Sequence, residues 1–144
     1  MPDEKPRWLY RFDNFQRAYV LLREAMKQKD EKGLNQLEKE GVIQRFEYSI
    51  ELAWKTLKDY LEFQNVVIPQ VTPRSVIREA FAAKLINDGQ VWMDALDARN
   101  KMSHTYDLAQ FESVIEDIKT HYLPAMEEIY FKLLQFSQEE EGRE

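Results

Sequence analysis

From Leu34 to Phe63 the apolar residues Val42, Phe46, Ile50, Ala53, Trp54, Leu57 and Leu61 return at three- and four-residue intervals, with no proline among them. Residues spaced in this way share one face of an α-helix, whereas on a strand they would scatter over both faces of a sheet. The segment reads as the longest helix of the chain, or as a short helix joined to a long one, with Gly41 weakening its first part.

The same rule holds along most of the remaining sequence. Trp8, Phe12, Phe15, Tyr19, Leu22 and Met26 place a first helix over 7–29, ended by the charged turn QKDEKGLN. The stretch NVVIPQVTPRS (65–75) holds two prolines and several β-branched residues and reads as the main loop. Thr72 caps a third helix that begins with Pro73 and runs to Leu85. INDGQ is a turn, after which Asp88 or Gly89 starts a fourth helix through Trp92, Ala95, Leu96 and Met102. A last helix begins at Asp107 or Leu108 and reaches the region of Phe136, with a kink or break at Pro124. Only four glycines and five prolines occur in 144 residues, so little of the chain is left for loops. The expected fold is all-α, an antiparallel up-down helical bundle of about five helices. One domain covers 1–144, with an ordered core over 7–136 and a solvated, frayed tail SQEEEGRE over 137–144.

Composition excludes several functions. The net charge of −6 disfavours a broad basic surface for nucleic acid, since counterion release needs many clustered Lys and Arg. There is no cysteine, hence no disulfide, thiolate metal site or thiol nucleophile. The N-terminus MPDEKPRWLYRF has no apolar signal region and no run approaches ~20 apolar residues, so a soluble, cytoplasmic protein without a membrane partner is expected. The glycines stand apart at 33, 41, 89 and 142, which leaves no glycine-rich phosphate loop. His104 and His121 are the only imidazoles, and their spacing matches no zinc motif; no metal site is expected in the chain itself. Ser103, His104 and Asp107 resemble a nucleophilic triad in composition alone, because sequence neighbours on a helix diverge by about 100°. Met26, Met93, Met102 and Met126 fall at core spacing and read as packing.

The stretch DARNKMSHTYD (97–107) does not fit a packing role. With Trp92 at zero on a helical wheel, Leu96 lies near about +40°, Ala95 near −60°, Met102 near −80°, Arg99 near −20° and Tyr106 near −40°. Arg99 thus stands in the middle of an apolar stripe. An unpaired buried guanidinium is costly, so Arg99 requires a carboxylate, a cleft or a subunit interface. On the long helix Glu47 lies about 40° from Ile43, within that helix's own apolar stripe, and Glu47 is the expected partner of a register-fixing ion pair. His104 lies five residues beyond Arg99, about 140° away on a continuous helix, so the two converge only if the helix ends near Ser103. MSHTYD permits that ending, because Ser, Thr and Asp compete locally for backbone hydrogen bonds and Asp107 can cap the next helix. Arg99 beside a histidine is then a minimal set for metal-free RNA cleavage, with imidazole as acid or base and guanidinium stabilising charge on phosphorus.

RNKMSHTYD resembles the Arg-x4-His signature of HEPN domains, in the extended form Arg-x4-His-x-Tyr. IQRFEYSIELAWKTLKDYLE (43–62), TPRSVIREAF (72–81) and DGQVWMDALDARN (88–100) resemble the nucleotidyltransferase substrate-binding proteins. These are helical bundles similar to the C-terminal domain of kanamycin nucleotidyltransferase, and the resemblance spans 7–136. It implies a homodimer joined to a small separate nucleotidyltransferase subunit, with a nucleotide and Mg²⁺ held in that complex and no cofactor intrinsic to this chain. No Gly-Ser and no Asp-x-Asp occurs here, so the transferase chemistry belongs to the partner.

Two functions follow from the resemblance. In the first, the chain is the substrate-binding subunit, whose cleft uses Arg99, Asn100, His104 and Tyr106, with Arg74 and Arg78 reaching phosphate or pairing with surface carboxylates. In the second, carried over from HEPN toxins of toxin-antitoxin pairs, Arg99 and His104 form a metal-independent ribonuclease site, and the partner silences it by nucleotidylating Tyr106. A helical scaffold that merely pairs with another protein is the third reading. Trp54 is expected to pack, Lys55 to face solvent, and His121 to be structural or exposed.

Overall fold

The computed structural model describes residues 5–105 and 107–143, and each of its helices starts or stops on a local chemical signal. Helix α1 (Arg7–Lys32) ends where Gly33 takes a φ of +75° and donates its N–H to the Lys29 carbonyl at 3.0 Å. It passes beyond the expected end at residue 29 because Lys29 and Lys32 suit a last turn, where carbonyl ends attract cations. Helix α2 (Gln36–Phe63) opens on a capping box in which Glu38 N donates to Asn35 Oδ1 (2.8 Å) and Asn35 N donates to Glu38 Oε1 (2.9 Å). Gly41 does not interrupt it.

Helix α3 (Pro73–Ala82) starts at Thr72 as expected, with Ser75 N donating to Thr72 Oγ1 at 3.0 Å. It stops at Ala82 rather than Leu85. Lys84 adopts a φ of +63°, Leu85 N returns to the Ala80 carbonyl at 2.9 Å, and the turn swings Leu85 and Ile86 into the core. Helix α4 (Gly89–Met102) is capped by Asp88, and α5 (Leu108–Asp117) by Asp107. A wide π-helical turn, Ile118–Tyr122, joins α5 to α6 (Leu123–Glu141). Proline has no N–H to donate and its ring collides with the carbonyl four residues back, so the ladder widens just before Pro124 and the rod continues. The final helix also runs through most of the tail expected to fray. Ser137 is buried, and Phe136 stacks on Tyr60 with ring centroids 5.1 Å apart.

Residue pairs between helices give the arrangement. Arg11 pairs with Asp59 at 2.9 Å and Gln28 with Glu38, so α1 and α2 run antiparallel. Lys29–Glu116 and Tyr19–Glu127 set the α5–α6 rod antiparallel to α1. Phe46–Tyr122 and Tyr60–Phe136 set that rod parallel to α2. Glu51–Arg99 and Glu47–Ser103 make α4 antiparallel to α2. The result is the expected up-down bundle, with α3 as a short extra piece against α4. Phe12, Phe15, Tyr19, Phe46, Ile50, Leu57 and Met126 fill its centre. Asp59 is buried where α1 meets α2, and three cations, Arg11, Lys58 (3.4 Å) and Arg7 (3.7 Å), surround its carboxylate. Among the described residues no helix is long and apolar enough to cross a membrane.

Candidate functional site

Arg99 sits on the face of α4 that meets α2, among the buried Trp92, Ala95, Leu96 and Met102, and is itself half-buried. Its ion-pair partner is Glu51, with Nη2 3.3 Å from Oε2, and not Glu47 as the wheel suggested. The reason lies in side-chain direction. Helical side chains lean toward the N-terminus of their own helix. In an antiparallel pair that direction on α4 points toward the C-terminal part of α2, one turn past Glu47. Glu47 instead accepts from the Ser103 hydroxyl at 2.9 Å.

Glu51 is the hub of this cluster. Its Oε2 accepts from Trp54 Nε1 at 3.1 Å, and its Oε1 lies 3.2 Å from Lys55 Nζ. Burial pushes the carboxyl up, but the hydrogen bonds from Trp54 and Lys55 and the charges of Arg99 and Lys55 outweigh it and hold Glu51 below its ordinary value. Glu51 is therefore a firm anion at neutral pH. Arg99 has donors left over, and its Nε is buried with no partner among the described residues. A guanidinium held on one side by a carboxylate and open on the other can still grip phosphate oxygens.

The break that MSHTYD permits after Arg99 is present. Helix α4 ends at Met102, the Ser103 and His104 N–H groups turn back to the carbonyls of Arg99 and Lys101, and Asp107 begins α5. His104 leaves the helical path here and its side chain is exposed, as is that of Asn100. Tyr106 lies outside the described residues. Arg74 is elsewhere: it pairs with Asp97 at 2.7 Å, and Asp97 lies about 160° around α4 from Arg99. Arg78 is exposed one turn further along α3. The structure thus gathers Arg99, Asn100 and His104 at one end of α4 and leaves Arg74 and Arg78 on another side of that helix.

Trp54 and Lys55, expected as packing and solvent-facing residues, are both half-buried and belong to the Glu51 cluster, with Lys55 Nζ 5.9 Å from the Trp54 ring centre. His121 is exposed on the π turn. Sequence reasoning missed Glu51. Its signal was the i,i+4 spacing to Lys55 and i,i+3 spacing to Trp54 on the same helix edge.

The fold is an all-helical up-down bundle that carries Arg99, Asn100 and His104 at and just past the end of α4. The chain belongs to the family described as nucleotidyltransferase substrate binding protein like, which it matches over residues 10–135. It is similar to a Haemophilus influenzae structure described as revealing the fold of a substrate binding domain of a nucleotidyltransferase, at 25% identity and a TM-score of 0.75, covering 85% of this chain and 98% of that one. A Thermus thermophilus structure is alike at 26% identity and a TM-score of 0.74, over 83% of this chain and 98% of that one. A Haemophilus influenzae protein named "Probable ribonuclease HepT" is 33% identical over 81 residues, which are 54% of this chain and 56% of that protein's length.

Proposed function

We propose that this chain is the substrate-binding subunit of a two-component nucleotidyltransferase, acting as a homodimer with a small separate catalytic subunit. The observation that carries this reading is Arg99, anchored to Glu51 on one side with unused donors on the other, beside the exposed His104 and Asn100. Such an end of a bundle suits the phosphates of a nucleotide or RNA. The partner supplies the metal-dependent transfer, and this chain orients what is transferred or accepts it. The test is nucleotide binding, with Mg²⁺ and the partner present, to the wild type and to Arg99→Ala. Loss of binding in the variant is expected, and equal binding overturns the assignment of Arg99.

A second reading, metal-independent ribonuclease, is favoured by one feature: α4 stops at Met102, so His104 leaves the helix that carries Arg99. His104 would then move a proton at the ribose hydroxyl or the leaving oxygen, while Arg99 stabilises the negative charge that builds on phosphorus. The likeness to a protein named as a ribonuclease supports this reading too. Tyr106 would be the hydroxyl that the partner nucleotidylates. Cleavage of RNA by the wild type in EDTA separates the two readings, since a subunit that only presents substrate cleaves nothing.

A further inference from the structure

A groove of about 390 Å³ lies between α4 and α5. Its residues on α4, Asp94, Asp97 and Lys101, stand about 140–160° around the helix from Arg99, so the groove is separate from the site described above. Asp94 and Asp97 line one wall and Asp117 the other, and Tyr122, on the π turn that follows α5, lines it as well.

Two further observations give this acidic groove a ligand-like character. Tyr122 is only 7% exposed, yet its hydroxyl makes no hydrogen bond among the described residues. Burial first, and then the charges of Asp117, Asp94 and Asp97, push it up to about 12, so the phenol is neutral, and it lines the same groove as the three carboxylates. At the opposite end, beside Lys101, the Gln110 side-chain oxygen is buried and accepts no hydrogen bond. That Gln110 oxygen is a buried polar atom without a partner, which is uncommon in folded proteins and needs an explanation. The groove therefore offers an excess of acceptors at both ends.

We propose that this groove binds an elongated organic cation of the aliphatic polyamine class. One ammonium sits between Asp94 and Asp117 against the Tyr122 oxygen, and a second donor reaches Gln110. A divalent metal ion fits less well, because it needs its oxygen ligands around one point, and the described residues contain no group of three His, Asp or Glu that could hold one. The two ends are seven residues apart on α4, or about 10 Å at the helical rise, a span for a chain rather than a point charge. Arg74 already partly neutralises Asp97 at 2.7 Å, which leaves Asp94 and Asp117 as the principal anions. Lys101 opposes any cation in the groove.

The experiment is calorimetric titration of the full chain with spermidine at fixed ionic strength. One saturable site per chain is expected. Asp117→Asn and Tyr122→Phe should each weaken it about tenfold, the loss of one charge-assisted hydrogen bond. Lys101→Gln should tighten it, a gain that misfolding cannot mimic. Glu31→Gln, which removes one exposed carboxylate on α1, should leave it unchanged. Absence of a saturable site overturns the proposal. So does equal weakening by Glu31→Gln and Asp117→Asn, which would mean diffuse attraction to an acidic protein, and so does unchanged or weaker binding in Lys101→Gln.

Discussion

Arg99 Nη2 lies 3.3 Å from Glu51 Oε2, while Glu47, one turn earlier on α2, accepts from Ser103 instead. The arginine that interrupts the apolar face of α4 is thereby balanced by the carboxylate that also receives Trp54 and Lys55. Glu51→Gln removes the charge facing two cations and should cost about 1–3 kcal/mol in denaturant unfolding. Glu47→Gln, which keeps an acceptor for Ser103, should cost under about 1 kcal/mol. The reverse order would show that Glu47 is the true counter-charge.

Glu51 is held below its ordinary carboxylate value, so its contribution to stability is present above that value and is lost as pH falls through the lowered one. Between neutral pH and the ordinary carboxylate range, wild type and Glu51→Gln should differ by a constant amount. The difference should shrink only in more acid solution. Paired melting curves across that range measure it, and convergence already near pH 6 contradicts the ion pair.

His104→Ala tests the role of the exposed imidazole. General acid–base catalysis by one side chain is worth about 10²–10⁴-fold, so under the ribonuclease reading this change abolishes cleavage in EDTA while the melting temperature stays put. Under the substrate-binding reading there is no cleavage to lose, and ligand binding weakens by about 0.5–3 kcal/mol. Weighing the chain after incubation with partner, Mg²⁺ and ATP gives an independent measure. A nucleotidyl mass addition that disappears in Tyr106→Phe marks the ribonuclease reading.

Asp59 is buried against Arg11, Lys58 and Arg7 where α1 crosses α2. Asp59→Asn leaves cations without their counter-charge and should destabilise the fold by about 3 kcal/mol, roughly what breaking a buried pair costs. Asp13→Asn, at the more exposed Lys5–Asp13 pair, should change stability by less than about 1 kcal/mol. Urea midpoints of the two variants decide the matter.

Tyr19 and Tyr122 are both pushed up to about 12, in each case mainly by burial; Glu127 adds to it at Tyr19, and the groove carboxylates add to it at Tyr122. Their neutral forms favour the folded state, so stability should hold below about pH 10 and fall as pH rises toward 12. Tyrosinate absorbance should show these two rings ionising together with the loss of helix. Ionisation of all seven tyrosines near pH 10 in fully helical protein would mean that these two rings are open to solvent.

The helices were legible in the sequence because their signals are local. Asn35 with Glu38, Thr72 before Pro73, Asp88 and Asp107 each satisfy backbone groups within four residues, and the apolar spacing states which face turns inward. The break at Met102, which lets His104 leave the path of Arg99, was readable from MSHTYD for the same reason. Other features depended on contacts between distant segments. Helix α6 continues to Glu141 because Phe136 finds Tyr60 from α2, a contact that tail composition does not announce. Arg99 takes Glu51 because α4 runs antiparallel to α2 and the arginine leans toward its own N-terminus, whereas a wheel drawn on one helix contains neither the direction nor the offset of its neighbour. The groove around Tyr122 likewise exists only once α4 and α5 face each other, because Asp94 and Asp117 are brought to opposite walls by packing rather than by spacing.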